Sequence, residues 1–423
     1  MTISRLPALQ ATRPIAVVGS VVLGLSQLGG CAGNGAYTTK FKQEAQGRMD
    51  MVKAGTQWDM ANQQYQSGAL DRALETIETS LALNDKVAKS HALKGQILLE
   101  LGRLEPALAS FDESISLDDK QALPRYYRGV VLERMERVDD ALESYRQAAA
   151  IDRSNPQFTV AAAEMLIHLG RLDEAKSILE PPVGSELPRF TQNAGVRQTL
   201  GHIALMQRDP VRAIRCFQDA CTLAPDDLAL VEDLARAQVS GGRHAEAESN
   251  LARVLKDAKP DDRRDLRLLR ARCLVEIERP VDARVMLQEM VQTASGASDP
   301  EPWVQLGNVA LVLEDDYRLR ESAGRVMALA PQRYEGYLLM GLYQRRANKL
   351  GHAAELLQKS MDRSVDDPTP AVVLSLVYQQ MGQQDRARMA IGKALAVSPG
   401  NERAQELARQ LGAVADVTGS DQD

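Results

Sequence analysis

Apolar residues return along this chain on a fixed beat. A short element, Gly, a spacer, an apolar residue and then Ala, occurs as Gly68-Ala69-Leu70-Asp71-Arg72-Ala73 and again as Gly102-Arg103-Leu104-Glu105-Pro106-Ala107. Two further copies run from Glu136 to Ala141 and from Gly170 to Ala175, each 34 residues after the last. Within each period about six apolar positions fall at i, i+3, i+4 spacing, which predicts two amphipathic helices per unit. Followed along the chain, the beat gives about ten units: 54–87, 88–121, 122–155, 156–189, 194–227, 228–261, 264–297, 300–333, 334–367 and 368–401. An isolated pair of helices cannot offset the cost of ordering its backbone, about 1–2 kcal/mol per residue. Stacked pairs share their apolar faces and can.

The departures from the beat are informative. Glu136, Arg208, Glu278, Glu314 and Asn348 stand where other units have a turn glycine, the residue that takes a left-handed backbone without strain. Leu319 fills the slot held elsewhere by a small alanine, so the eighth pair is expected to be looser or shifted. Glu180-Pro181-Pro182 should end the fourth unit's second helix early, because proline lacks the donor and clashes with the preceding turn. A clear seam is expected at 181–193, and a milder one near 293–300, where Thr293 to Pro300 reads as a loop. The units therefore group as 54–189 (units 1–4), 190–297 (units 5–7) and 298–401 (units 8–10). Residues 40–53, with Phe41, Ala45, Met49 and Val52 on one face, and residues 402–412, with Ala404, Leu407, Ala408 and Leu411, read as terminal cap helices. Residues 413–423 read as a disordered tail.

The 34-residue period, with Trp303, Leu306, Gly307 and Pro331 in one unit and Gly201, Ala213, Phe217, Ala220 and Pro225 in another, resembles the tetratricopeptide repeat family. Gly95, Leu98, Gly102, Ala107 and Phe111 repeat the pattern, as do Gly129, Leu132, Ala141, Tyr145 and Ala148. The resemblance implies an all-α, right-handed superhelical solenoid of antiparallel helix pairs, used to bind protein or peptide partners. It also implies that the fifth, ninth and twelfth residues of each unit line a concave groove. Those positions give an aromatic start (Trp58, Tyr65, Tyr126), a basic middle (His202, Arg236, Arg272) and an apolar end (Leu338, Leu342, Val372, Leu376). Aromatics and arginines are the usual anchors of interfaces. The other reading of the same residues is internal: apolar groove positions packing on the second helices, and Arg236 and Arg272 pairing with Glu232 and Glu276.

Residues 1–30 follow a different pattern. They hold Arg5 and Arg13, no acid, and a mostly apolar stretch from Ile15 to Leu28. This is the layout of a secretory signal, too short and too rich in Gly and Ser for a good span of ~20 residues. It ends in Leu28-Gly29-Gly30-Cys31, which resembles the lipobox of bacterial lipoproteins, although Gly at the second position is less usual than Ala or Ser. The resemblance implies cleavage before Cys31 and acylation of that residue, with 31–39 as a tether. An uncleaved anchor with Cys31 incidental is the alternative. Either way Arg5 and Arg13 hold the N-terminus in the cytoplasm, and the rest is exported. By the same resemblance, Ala32 in place of Asp favours the outer membrane over the inner, facing the periplasm or the cell exterior.

Composition narrows the picture further. Of 423 residues 44% are hydrophobic and 26% charged, ordinary for a folded chain, and only 4% are aromatic, so Leu, Ala, Val and Met must fill the core. The formal net charge of −6 gives no global basic field for nucleic acid. The arginines at 263, 264, 267, 270 and 272 form a local cluster, but Asp261, Asp262 and Asp265 interleave with it, which favours a solvated, self-neutralised face. Cys216 and Cys221 lie on one expected helix with a rise of about 7.5 Å, beyond disulfide reach, so free thiols are expected. The five histidines have no metal-ligand spacing, and no P-loop, GxSxG or dinucleotide motif occurs. No cofactor, metal, small-molecule substrate or catalytic residue is expected. The functional expectation is a non-catalytic scaffold at a bacterial envelope, serving assembly of a pilus, secretion or other complex. The alternative is an adaptor or regulatory subunit of a cell-wall (peptidoglycan) enzyme complex.

Overall fold

The structure, a computed structural model, describes residues 36–181, 190, 192–259 and 261–412. The signal at 1–30, the acylation site at Cys31, the tail at 413–423 and most of the 181–193 seam lie outside them. Among the described residues every regular element is a helix, giving a helical repeat solenoid without strands. The chain divides into two compact units between Leu101 and Gly102.

The first unit holds α1 (Ala36–Gln66), α2 (Leu70–Leu83) and α3 (Ala88–Glu100). Ala54 and Ala61 on α1 meet Ala73, Ile77 and Ser80 on α2 at a buried crossing, tied by the Ser80 hydroxyl donating to the Ala54 carbonyl at 2.8 Å. The separate tether and cap helix expected over 31–53 are not found from residue 36 on. One helix runs through Gly47 and Gly55, since an isolated glycine weakens a helix without ending it. Phe41, Met49 and Val52 do not cap a core; they are 50%, 53% and 71% exposed.

The second unit continues with α4 (Leu104–Leu117), α5 (Ala122–Arg134), α6 (Val138–Ile151), α7 (Pro156–His168), α8 (Leu172–Leu179), α9 (Ala194–Met206), α10 (Pro210–Leu223), α11 (Leu228–Ser240) and α12 (His244–Val254). It is completed by α13 (Arg264–Glu276), α14 (Pro280–Gln292), α15 (Ala294–Ser298), α16 (Pro300–Val312), α17 (Asp316–Leu329), α18 (Tyr334–Arg346), α19 (Leu350–Arg363), α20 (Thr369–Gln380), α21 (Gln384–Val397) and α22 (Glu402–Gln410). The eight-residue α8 stops short of Pro181. Among the described residues no helix is long and apolar enough to cross a membrane.

Residue size organises each pair. The eighth residue of every unit is small and buried, as in Gly129, Ala163, Gly201, Ala235, Gly307 and Gly341. Opposite it stands a large buried side chain sixteen residues on: Tyr145 against Gly129, Phe217 against Gly201, Leu357 against Gly341. A Cβ built on Gly201 would come within 2.6 Å of the Phe217 ring. The eighth pair reverses the sizes. Leu319 occupies the alanine slot and Ala323 the large one, and both are fully buried. Leu339 from α18 fills the space over Gly307, reaching to 2.6 Å of where a Cβ would be. The loosening expected at Leu319 is thus offset by one compensating exchange.

The turns behave uniformly. Glu136, Arg208, Glu278, Glu314 and Asn348 adopt φ between 55° and 61°, beside Gly68, Gly102, Gly170, Gly242 and Gly382 at 71° to 81°. At Glu136 the backbone closes a Schellman turn, with Glu136 N–H donating to the Glu133 carbonyl and Arg137 N–H to the Leu132 carbonyl, both at 2.9 Å. A side chain in this region is strained by roughly 1–2 kcal/mol. Glu136→Gly with Glu278→Gly should therefore raise stability, by about 0.5–1 kcal/mol per site after the added freedom of the unfolded glycine. A urea midpoint that stays or falls would remove turn strain as the cause.

The stretch at 293–300 is not a loop. Thr293 caps α15, its hydroxyl accepting from Gly296 N–H at 3.0 Å and donating to the Met290 carbonyl at 2.8 Å. The Trp303 indole donates to the Ala297 carbonyl at 3.3 Å. Gly296 is obligatory, because a Cβ there would lie 2.0 Å from the Met290 oxygen.

Candidate binding groove

In the first unit Trp58 and Tyr65 are half-buried. The Trp58 indole donates to the Lys89 carbonyl at 3.2 Å, and the Lys89 ammonium sits 4.2 Å from the ring centre, so Trp58 joins α1 to α3. In the second unit Tyr126 packs within 5.3–5.5 Å of the Tyr127, Tyr145 and Phe158 ring centres. Burial raises the Tyr126 hydroxyl above its ordinary value. Tyr145 donates to Glu133 at 2.8 Å. Glu164, the ninth residue of its unit, is exposed by surface yet held above the usual carboxylate range, first by desolvation and then by Glu133.

The basic middle does not exist as a patch of free charge. His202 Nε2 lies 3.4 Å from Asp233, whose carboxylate also accepts from Gln198 at 2.7 Å. Arg236 pairs with Glu232 at 3.0 Å and with Asp265 at 2.6 Å. Arg272 pairs with Glu301 at 3.4 Å, not with Glu276. Glu301 also receives Arg333 at 3.0 Å, and Arg333 reaches Glu335 as well. Partial burial raises the Asp265 and Glu301 carboxyls, but donors around each more than offset it, so both sit below the usual range. The sequence signal was available in the spacing. Arg236 to Asp265 and Arg272 to Glu301 are each 29 residues, the ninth position of one unit to the second of the next. Exposed pairs of this kind stabilise by about 0–1 kcal/mol each, so they align neighbouring helices more than they hold the fold.

The arginine cluster at 263–272 likewise dissolves into separate ties. Arg263 binds Glu232, Arg264 binds Asp299 and Arg270 binds the largely buried Glu248 at 2.8 Å. Arg267 is 8% exposed and donates to the carbonyls of Ala258, Lys259 and Asp262. The self-neutralised reading holds, with the interleaved Asp265 3.6 Å from Arg263, and the heads of Arg263, Arg264 and Arg272 stay partly solvated while Arg267 is buried.

At the apolar end Leu338, Leu342 and Leu376 are half-buried and Val372 is buried. Leu342 lines an open pocket of about 400 Å³ with Leu311, Arg345, Arg346 and Gln380. Cys216, Cys221 and Cys273 are free thiols, as expected, each raised by burial, Cys273 to about 11. Among the described residues no three His, Cys, Asp or Glu side chains gather as a metal site would require.

Solved structures similar to this chain include the APC/C hetero-tetramer Cut9–Hcn1, 14% identical, with 88% of this chain and 94% of that one covered at a TM-score of 0.42. Pseudomonas aeruginosa pilF is 19% identical over 50% of this chain and 94% of its own, at 0.42. A tetratricopeptide repeat protein from Parabacteroides merdae is 18% identical over 57% and 94%, at 0.42. No curated protein matches the sequence. Two family models described as tetratricopeptide repeat match, one over 59–122 and the other over 133–183 and 204–264. Over those residues the chain matches tetratricopeptide repeats, which in general form scaffolds that bind protein partners.

Proposed function

We propose that this chain is an exported, lipid-anchored and non-catalytic scaffold of a bacterial envelope, holding protein or peptide partners along its first-helix face. The observation that carries the anchoring is the tetrapeptide Leu28-Gly29-Gly30-Cys31 at the end of an acid-free, arginine-bearing apolar segment. Acyl chains contribute about 0.8 kcal/mol per buried CH₂, so several on one cysteine make a firm anchor. The repeats supply the binding class. The process served is assembly of an envelope complex, at the periplasmic face of the outer membrane by the reading of Ala32.

Cys31→Ala tests the anchor. Cells fed radiolabelled palmitate should label the parent chain and leave the variant unlabelled, and the variant should remain unprocessed or leave the membrane fraction. Acyl label on the variant would end the lipobox reading while leaving the scaffold reading intact. Cross-linking of the native chain in cells, followed by identification of the captured proteins, tests the scaffold itself.

A further inference from the structure

Arg345 differs from the basic side chains in the middle of the first-helix face. His202, Arg236, Arg272 and Arg333 each lie within reach of a carboxylate of a neighbouring helix. Arg346, one residue on, pairs with Asp316 at 2.7 Å. The bond of Arg345 is to a neutral amide, its Nε donating to Gln380 Oε1 at 3.0 Å, and among the described residues no carboxylate forms an ion pair with it. Its surroundings oppose its charge: burial acts first and the Arg403 guanidinium second, together lowering its pKa. A half-buried guanidinium facing a like charge is a poor arrangement for stability alone. It is a good one for receiving an anion.

The second observation is the space beside it. Leu311 and Arg345 are the twelfth residues of successive units, and with Leu342, Arg346 and Gln380 they wall the open pocket of about 400 Å³. That volume takes one or two aliphatic side chains. We propose that this pocket binds an acidic–aliphatic segment of a partner protein, with an aliphatic side chain against Leu311 and Leu342 and a carboxylate on Arg345. The planar guanidinium fork matches a carboxylate with two parallel bonds. Charge complementarity selects the occupant: among the described residues no carboxylate forms an ion pair with Arg345 or Arg403, and a basic or neutral segment would leave them without one. The proposal rests on the protein-binding reading above and narrows it to one subsite.

The test uses the full chain in detergent and a fluorescein-labelled octapeptide carrying two Asp–Leu pairs in a Gly/Ser background, followed by anisotropy. Its partner is the same peptide with Asn for each Asp. The acidic peptide is expected to bind about tenfold more tightly, as a charge-assisted contact requires. Arg345→Gln should abolish that preference, Arg345→Lys should keep part of it, and Leu342→Ser should weaken both peptides. Arg272→Gln, at a cation already paired with Glu301, should leave the preference unchanged. Arg403→Gln, a change at an exposed residue of α22, should reduce it even if the Arg345 variants fold poorly. Equal binding of the two peptides, or a preference that survives Arg345→Gln in a folded chain, overturns the proposal. In either case, partners still captured by cross-linking would show that the scaffold reading survives it.

Discussion

Phe217→Ala is expected to lower the stability of the second unit by about 3–5 kcal/mol, the cost of deleting a fully buried ring and leaving its cavity. The ring is 0% exposed and packs with Ala204, Ala213, Ile214, Leu234 and Ala237. It lies over Gly201, where even a methyl group would stand 2.6 Å from its edge. This geometry makes a sharper demand than the cavity does. Gly201→Ala alone should destabilise, because overpacking at about 1–3 kcal/mol outweighs the helix-propensity gain of about 1 kcal/mol. In the Phe217→Leu background the same alanine should cost less or stabilise. Urea melts of the four chains give the coupling, and an alanine that costs the same in both backgrounds would mean the two positions do not share space. Because repeats interact with their neighbours, the loss should appear first as local opening around α9–α11, read by amide exchange.

Arg267→Met should cost about 3 kcal/mol, more than any exposed arginine change in the chain. Methionine keeps the packing of the stem and removes only the guanidinium. The head donates to Ala258 at 2.6 Å, to Lys259 at 2.9 Å and to Asp262 at 3.3 Å. These carbonyls follow α12, on a segment that re-enters helix through Arg263 at φ 50°. Without the head they are left short of a charged donor, and the connection between the sixth and seventh units should loosen. The check is thermal melting of Arg267→Met beside Arg272→Met, whose head is exposed and pairs only at 3.4 Å. Equal shifts would show that Arg267 is an ordinary surface charge.

Much of this fold is legible in the sequence because its determinants are local and repeat. The small eighth residue, the alanine early in most second helices and the position of each turn recur every 34 to 38 residues, so the pattern exposes them even where Glu136 or Arg208 replaces glycine. The size exchange at Leu319 is not legible from that slot alone, because its partner at 323 must be set beside it. The candidate site was less legible. Single positions such as Arg236 and Arg272 look like free cations until the following unit's Asp265 and Glu301 are placed beside them. Charge is settled between helices, whereas position lists run along one helix at a time. Arg345 is not legible for the converse reason, since only the folded chain shows that among the described residues no carboxylate pairs with it.

The 29-residue ties from Arg236 to Asp265 and from Arg272 to Glu301 have a mechanical meaning. The helices are stiff rods with buried, close-packed seams, and from α9 through α11 and α13 to α16 the rods of the first-helix face are held by short charged links of small individual strength. Such a row is a soft spring mounted on rigid plates. Its compliance depends on ionic strength, since exposed charges are screened within about 8 Å at physiological salt, while the plates keep their shape. A partner that wedges between neighbouring rods, or a load applied along the row, would stretch these links before it disturbed any core residue.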